Sequence, residues 1–156
     1  MKRPDQSAAA RPAVALRPAR QDERWLIARR ILREQLDPTK LDWQRFVMAE
    51  DTNGALLGFA QMKDWGQGVR EFGSLVVEPE ARGQGVGGAL IAHFVTEFPH
   101  PIYLFCGGHN VAYYLRFGFR RLKKEGEVPG PLQRKWRTAQ FFSRLFKANV
   151  ALMVIE

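Results

Sequence analysis

Four glycines fall within six residues, Gly83-Gln84-Gly85-Val86-Gly87-Gly88, directly after Arg82. The apolar triplet Leu75-Val76-Val77 lies upstream and an apolar-periodic run opens at Val86, so the glycines form an arch between a strand and a helix. That arrangement suits an anion. Backbone N–H groups at a helix start lack intrahelical partners, and an arch without side-chain bulk lets a pyrophosphate approach several of them. The helix dipole adds about 0.3–1 kcal/mol for a negative group, and Arg82 supplies a positive charge beside it. Groups able to move protons flank the arch: Glu71, eleven positions before Arg82, and the neighbours Tyr113 and Tyr114 after it. Cys106 and His109 offer a nucleophile and a base, but closeness in sequence fixes no geometry between them.

The arch formally matches the dinucleotide pattern G-x-G-x-x-G, which taken alone is a weak signal. Its surroundings argue against that ligand. In a dinucleotide fold the glycines follow the first strand at once, whereas here Glu78 through Arg82 intervene and four elements precede. The next strand should also end in an acid for the ribose, and here it ends in Cys106-Gly107. A Walker-type loop fails as well, because no Lys-Ser or Lys-Thr follows the glycines.

The elements that must hold these residues can be read from periodicity and breakers. Val14 to Pro18 predicts a first strand, and Asp22 caps a helix to about Leu36 that turns Trp25, Leu26, Ile31 and Leu32 inward until Asp37-Pro38 stops it. Strands follow at Arg45–Glu50, Leu56–Lys63 and Arg70–Val77, the first two joined by the hairpin turn Asp51-Thr52-Asn53-Gly54. After the arch, Val86, Leu90 and Phe94 recur every fourth residue with Ile91 and Phe98 beside them, and Pro99 ends that helix. Ile102–Phe105 reads as a buried strand, Val111–Phe117 as a short helix, Phe119–Leu122 as a strand and Val150–Ile155 as the last one. Between these two, Thr138 caps a helix that carries Phe141, Phe142, Leu145 and Phe146 inward. The chain shows neither an internal repeat nor a metal-ligand cluster, so no metal is expected.

At 156 residues the chain is long enough for one domain with a core of its own. Hydrophobic residues at 46% and charged residues at 26% exclude a mainly disordered chain. No apolar run approaches the roughly 20 residues of a membrane helix, so no membrane is expected as partner. Residues 1–13, rich in Ala, Pro and Arg, are expected to fray and lack the apolar core of a secretory signal, leaving 14–156 as a single domain. The lone Cys106 fits a reducing cytoplasm. The net charge of +8 concentrates at the two ends of the chain. A solvated basic surface is the preferred reading, with nucleic acid disfavoured.

With the strand, the turn and Arg82-Gly83-Gln84-Gly85-Val86-Gly87 in place, the segment resembles the R/Q-x-x-G-x-G/A cofactor motif of the GCN5-related N-acetyltransferase superfamily. Tyr114-Leu115-Arg116-Phe117-Gly118-Phe119 is similar to that family's Tyr-x-x-x-Gly-Phe segment, and the element order agrees from about Val14 onward. The resemblance implies an α/β (α+β) fold with a mixed, mostly antiparallel, V-splayed sheet of six to seven strands flanked by helices. Acetyl-CoA would be wedged between the fourth and fifth strands. It also implies that Leu75, Val76 and Val77 pair with the pantetheine, and that Gly83, Gln84, Gly85, Val86, Gly87 and Gly88 cradle the pyrophosphate. Arg82 takes the motif's leading position.

Moving an acetyl group from a thioester to an amine requires a neutral nucleophile, stabilisation of a tetrahedral oxyanion and a proton for the leaving thiolate. Tyr114 matches the family's general acid, with Tyr113 as competitor, and a backbone N–H near Val77 matches the oxyanion donor. Glu71 resembles the catalytic glutamate of the histone-acetylating branch. Strict alternation puts it on the face of Gly73, Leu75 and Val77, unless a bulge shifts that face. Where family members carry a cofactor-holding Asn, this chain has Gly107. The nearest Asn, Asn110, either reaches the pantetheine or caps the next helix, and capping is preferred. Direct transfer in a ternary complex disfavours a Cys106 acyl-enzyme. The acceptor is an amine of a small molecule or protein. Arg134, Lys135, Arg137, Arg144 and Lys147, in the extra segment 125–149, would favour acidic groups near it. The protein is expected to act as monomer or homodimer, and the alternative function is a non-catalytic acyl-CoA-binding regulatory module.

Overall fold

The computed structural model describes residues 13–156, so all but Ala13 of the segment expected to fray lies outside the described residues. The strands are β1 (Ala15–Pro18), β2 (Phe46–Glu50), β3 (Leu56–Asp64), β4 (Arg70–Val77), β5 (Ile102–Gly107), β6 (Arg120–Arg121) and β7 (Val150–Ile155). They form one sheet in the order β1-β2-β3-β4-β5-β7-β6. Every neighbouring pair is antiparallel except β4 and β5, which are parallel. The helices are α1 (Arg24–Arg33), α2 (Val86–Glu97), α3 (Val111–Leu115) and α4 (Gly130–Leu145).

Alternation along the strands sorts the core into two faces. Ala60, Met62, Phe72, Leu104 and Met153 meet Val86, Leu90, Ile91 and Phe94 of α2 on one face. On the other, Phe46, Met48, Phe59 and Val76 pack under Ile27 and Ile31 of α1. Further along that same face, Leu122, Leu152 and Val154 lie under Leu132 of α4. Each such fully buried large side chain contributes about 1.5–3 kcal/mol.

Two helices differ from their sequence reading. In α1 the buried stripe runs through Ile27 and Ile31, one turn apart, leaving Trp25 at 73% and Leu32 at 65% exposure on the flanks. Asp22 lies within the preceding 3-10 turn Gln21–Glu23 and does not cap the helix. The second helix, α4, starts eight residues before Thr138, at Gly130 behind Pro129. Thr138 is a mid-helix residue whose hydroxyl donates to the Arg134 carbonyl. Leu132 anchors the helix to the sheet near its start, and the far end carries Phe141, Phe142, Leu145 and Phe146 outward, all exposed.

An extra residue in β4 reshapes the centre of the sheet. Gln61 pairs with Gly73 and Phe59 with Val76, so two steps on β3 oppose three on β4. Ser74 absorbs the surplus with a positive φ of 55°, and its hydroxyl accepts a hydrogen bond from Gln61 Nε2 at 2.8 Å. Alternation inverts across the bulge. Leu75 and Val77 consequently join the α2 face, whereas Glu71 and Gly73 belong to the face of α1 and α4. The expectation of a common face for Glu71, Gly73, Leu75 and Val77 holds only for the first two. Just before the bulge β4 leaves β5: their ladder holds at Arg70–Ile102 and Glu71–Tyr103 alone, while β5 stays paired with β7 from Ile102 to Gly107.

On its other side β4 presses against β3 at Gly58, where an added Cβ would stand 2.5 Å from the Val76 carbonyl oxygen and 3.2 Å from Val77 Cα. Backbone atoms cannot swing aside. Gly58→Ala should therefore lower stability by about 1–3 kcal/mol in urea unfolding. An unchanged midpoint would show that this close approach is not needed.

Candidate active site

The parting of β4 from β5 opens a cleft of about 1120 Å³. Leu75, Val76 and Val77 form one wall, Gly107, His109 and Asn110 the other, and the glycine arch closes the end. Gly83 and Gly85 adopt φ of 76° and 86°, a left-handed backbone that favours glycine, with open space where a Cβ would stand. Gly85 then starts α2, so the N–H groups of Val86, Gly87 and Gly88 have no carbonyl within the helix to bond. Over the arch, the Tyr113 hydroxyl lies 2.7 Å from where a Gly87 Cβ would be, and the Phe117 ring 3.3 Å from that of Gly88. Arg82 lines the cleft, donating from Nε to the Val77 carbonyl at 3.1 Å and from Nη2 to Glu34 at 3.3 Å. Gln84 turns back to the Glu80 carbonyl, 3.0 Å away, and does not line it.

Tyr114 reaches the same cleft from α3 while only 9% exposed. Burial, with Cys106 and Tyr113 nearby, pushes its phenol well above the usual value, so it stays protonated at neutral pH and able to donate. Asn110 stands at the N-cap position of α3 but makes no side-chain cap bond and faces the cleft, so the preferred capping role is absent. Cys106 points into the core. Its Sγ approaches Met153 Sδ at 3.8 Å, and burial pushes the thiol up to about 11, which leaves almost no thiolate at neutral pH.

Glu71 does not line the cleft. It is 3% exposed and both carboxylate oxygens are engaged: Oε1 accepts from Lys135 Nζ at 2.6 Å and Oε2 from Trp65 Nε1 at 2.8 Å. The same Lys135 Nζ donates to Asp37 Oδ2 at 2.6 Å, and Asp37 also accepts from Lys63 Nζ at 3.0 Å. Four charges thus alternate on the face shared by α1 and α4, in the gap between the two apolar clusters there. Lys63, 1% exposed, has its ammonium pKa lowered by burial and by Lys135, against the pull of Glu71 and Asp37. Burial alone would raise Asp37, but hydrogen bonds from Lys135 and Thr39 outweigh it and hold the carboxyl far below its usual range.

The chain matches the family model described as the acetyltransferase (GNAT) family over residues 14–119. The chain belongs to the acetyltransferase (GNAT) family. Members use acetyl-CoA as co-substrate, and the cleft and arch lie inside the matched region, whereas α4, Lys135 and β7 lie outside it. Solved GNAT structures share the fold at low identity. N-acetylglutamate synthase from Neisseria gonorrhoeae, complexed with coenzyme A and N-acetyl-glutamate, superposes with a TM-score of 0.72 at 18% identity over 92% of this chain. That comparison spans only 35% of the synthase chain. Rv2747 from Mycobacterium tuberculosis, in complex with CoA, gives 0.69 at 15% identity, covering 90% of this chain and 98% of that one. Escherichia coli ElaA gives 0.62 at 18%, covering 92% and 100%. No curated protein sequence matches the chain.

Sequence reasoning missed the partners of Glu71. Asp37 reads as a helix stop and Lys63 and Trp65 as strand and loop residues, while Lys135 reads as one of several free bases. The signal was a lysine at an inward position of β3, opposite a glutamate on β4, which neither residue tolerates without counter-charges.

Because the folded-state pKa of Asp37 is depressed, its contribution to stability is complete above the unfolded value of about 3.9 and is lost as pH falls below it. Asp37→Asn should therefore flatten the acid limb of the stability profile. Urea midpoints at neutral pH and near pH 3 measure this, and an unaltered slope would contradict the ion-pair network.

Proposed function

We propose that the protein is an acetyl-CoA-dependent N-acetyltransferase acting on an amine in a ternary complex. The observation that carries this is the cleft where β4 leaves β5, which runs from the glycine arch past the buried Tyr114 phenol. The residues present fit CoA. The arch offers bare N–H groups and glycine backbone for a pyrophosphate, Arg82 and Arg116 line the same cleft, and the freed edge of β4 offers amides to a pantetheine. When bound, acetyl-CoA supplies the acetyl group as a thioester.

The roles of the chain's own groups follow. Tyr114 donates its proton to the sulfur as the C–S bond breaks. Glu71, at the last paired position of β4, takes the proton that the acceptor nitrogen sheds as it bonds to the acetyl carbon, once Lys135 has released its Oε1. A backbone N–H near Val77 stabilises the carbonyl oxygen. Cys106, protonated and turned to Met153, takes no part. Residues 14–156 act as one catalytic unit, and the lone free thiol fits the reducing cytoplasm.

The test is release of free CoA across a screen of amine acceptors. Tyr114→Phe should lower kcat about 100-fold with little change in KM for acetyl-CoA, and Glu71→Gln should lower kcat/KM for the acceptor about 100-fold. If both variants keep wild-type turnover, these assignments fail. Tight acetyl-CoA binding without CoA release for any acceptor would favour a non-catalytic acyl-CoA-binding module.

A further inference from the structure

Buried charges are costly, and this fold holds two of them, Lys63 and Glu71, tied to the partly exposed Asp37 and Lys135, where apolar packing would be at least as stable. The central charge is Lys135. Its Nζ is 2.6 Å from both Glu71 Oε1 and Asp37 Oδ2, 4.6 Å from the Phe105 ring centre and 5.4 Å from that of Trp65. Two carboxylates and two aromatic faces form a cage for a cation. Without Lys135 the cage keeps Glu71, Asp37 and Lys63, a net charge of minus one, which suits a single monocation. On the same face of β3, two positions before Lys63, the buried Gln61 leaves Oε1 with no hydrogen-bond partner among the described residues. Glu71 pairs with Tyr103 at the last rung before β4 and β5 part, and Leu36, next to Asp37, lines the cleft, so the cage lies beside the apex of the parting strands on the face opposite α2.

We propose that this cage is the ammonium site of the acceptor, and that Lys135 occupies it until an acceptor displaces it. Lys135 enters as an unbranched alkyl chain ending in a primary ammonium, and it defines the class of acceptor by its own shape. The acceptors are primary alkylammonium groups of the lysine side-chain or diamine type. An α-amino acid nitrogen is disfavoured, because its neighbouring carboxylate would lie against Glu71 and Asp37. The helix that carries Lys135 lies beyond residues 14–119, which match the family model. The transfer step rests on the acetyltransferase reading, whereas occupancy of the cage does not.

Chemical rescue separates the two. Lys135→Ala empties the cage and should lower Tm, and millimolar n-butylammonium should restore at least half of the loss saturably. Butyrate and tert-butylammonium should not, and the wild type should not respond. Equal effects of all three additives, or none, would overturn the cage as a ligand site. Lys135→Met keeps the packing of the stem and serves if the alanine variant does not fold. With the internal competitor gone, its KM for Nα-acetyl-lysine amide should be about tenfold below wild type, and an unchanged or raised KM would overturn displacement. CoA release with L-glutamate but not with the lysine amide would overturn the acceptor class and leave acetyl transfer standing. Rescue by n-butylammonium without CoA release from any amine would sink the transferase reading alone.

Discussion

One surplus residue in β4 governs the arrangement of this protein. Ser74 has no counterpart on β3, and accommodating it reverses which face the following residues address. The same strand therefore serves two compartments. Before the bulge it presents Glu71 to the side covered by α1 and α4, and after it Leu75 and Val77 face α2 and line the cleft. A bulge also strengthens local twist, which accords with the loss of pairing to β5 just past Glu71. The cleft has two free strand edges because β5 is held by β7 and β4 by β3. An edge left open in this way normally invites aggregation, and here it faces a cavity that ends in bare amides.

The buried charges on the opposite side add a second constraint. Lys63 and Glu71 stand opposite each other on β3 and β4, and Asp37 and Lys135 arrive from outside the sheet to pair with them. Two connections, the chain after α1 and the helix α4, thus become tied to the strand that bends. This accounts for an α4 held near its start by Leu132 and Lys135 while its far half carries phenylalanines into solvent.

Much of this was legible before the fold. The arch announced itself because glycines in that density serve only a backbone that must be approached closely or turned left-handed, and Gly83 and Gly85 do the latter. The positions of the strands along the chain followed from alternation and turn residues. The face of Glu71 did not, since Ser74 carries no mark of a bulge and a single inserted residue inverts a period of two. For α4, Thr138 mimics a cap and the phenylalanines mimic a core, yet the helix leaves the sheet before reaching them. Lys135 was hidden among like charges. A long-range pair with Glu71 leaves no periodic trace in the chain.

Every role assigned to the cleft requires that it bind acetyl-CoA, and isothermal titration measures that without reference to any acceptor. A saturable one-to-one isotherm with acetyl-CoA and no heat of binding with NAD is the result expected. No binding of acetyl-CoA at high micromolar concentration, or binding of NAD in its place, would contradict it.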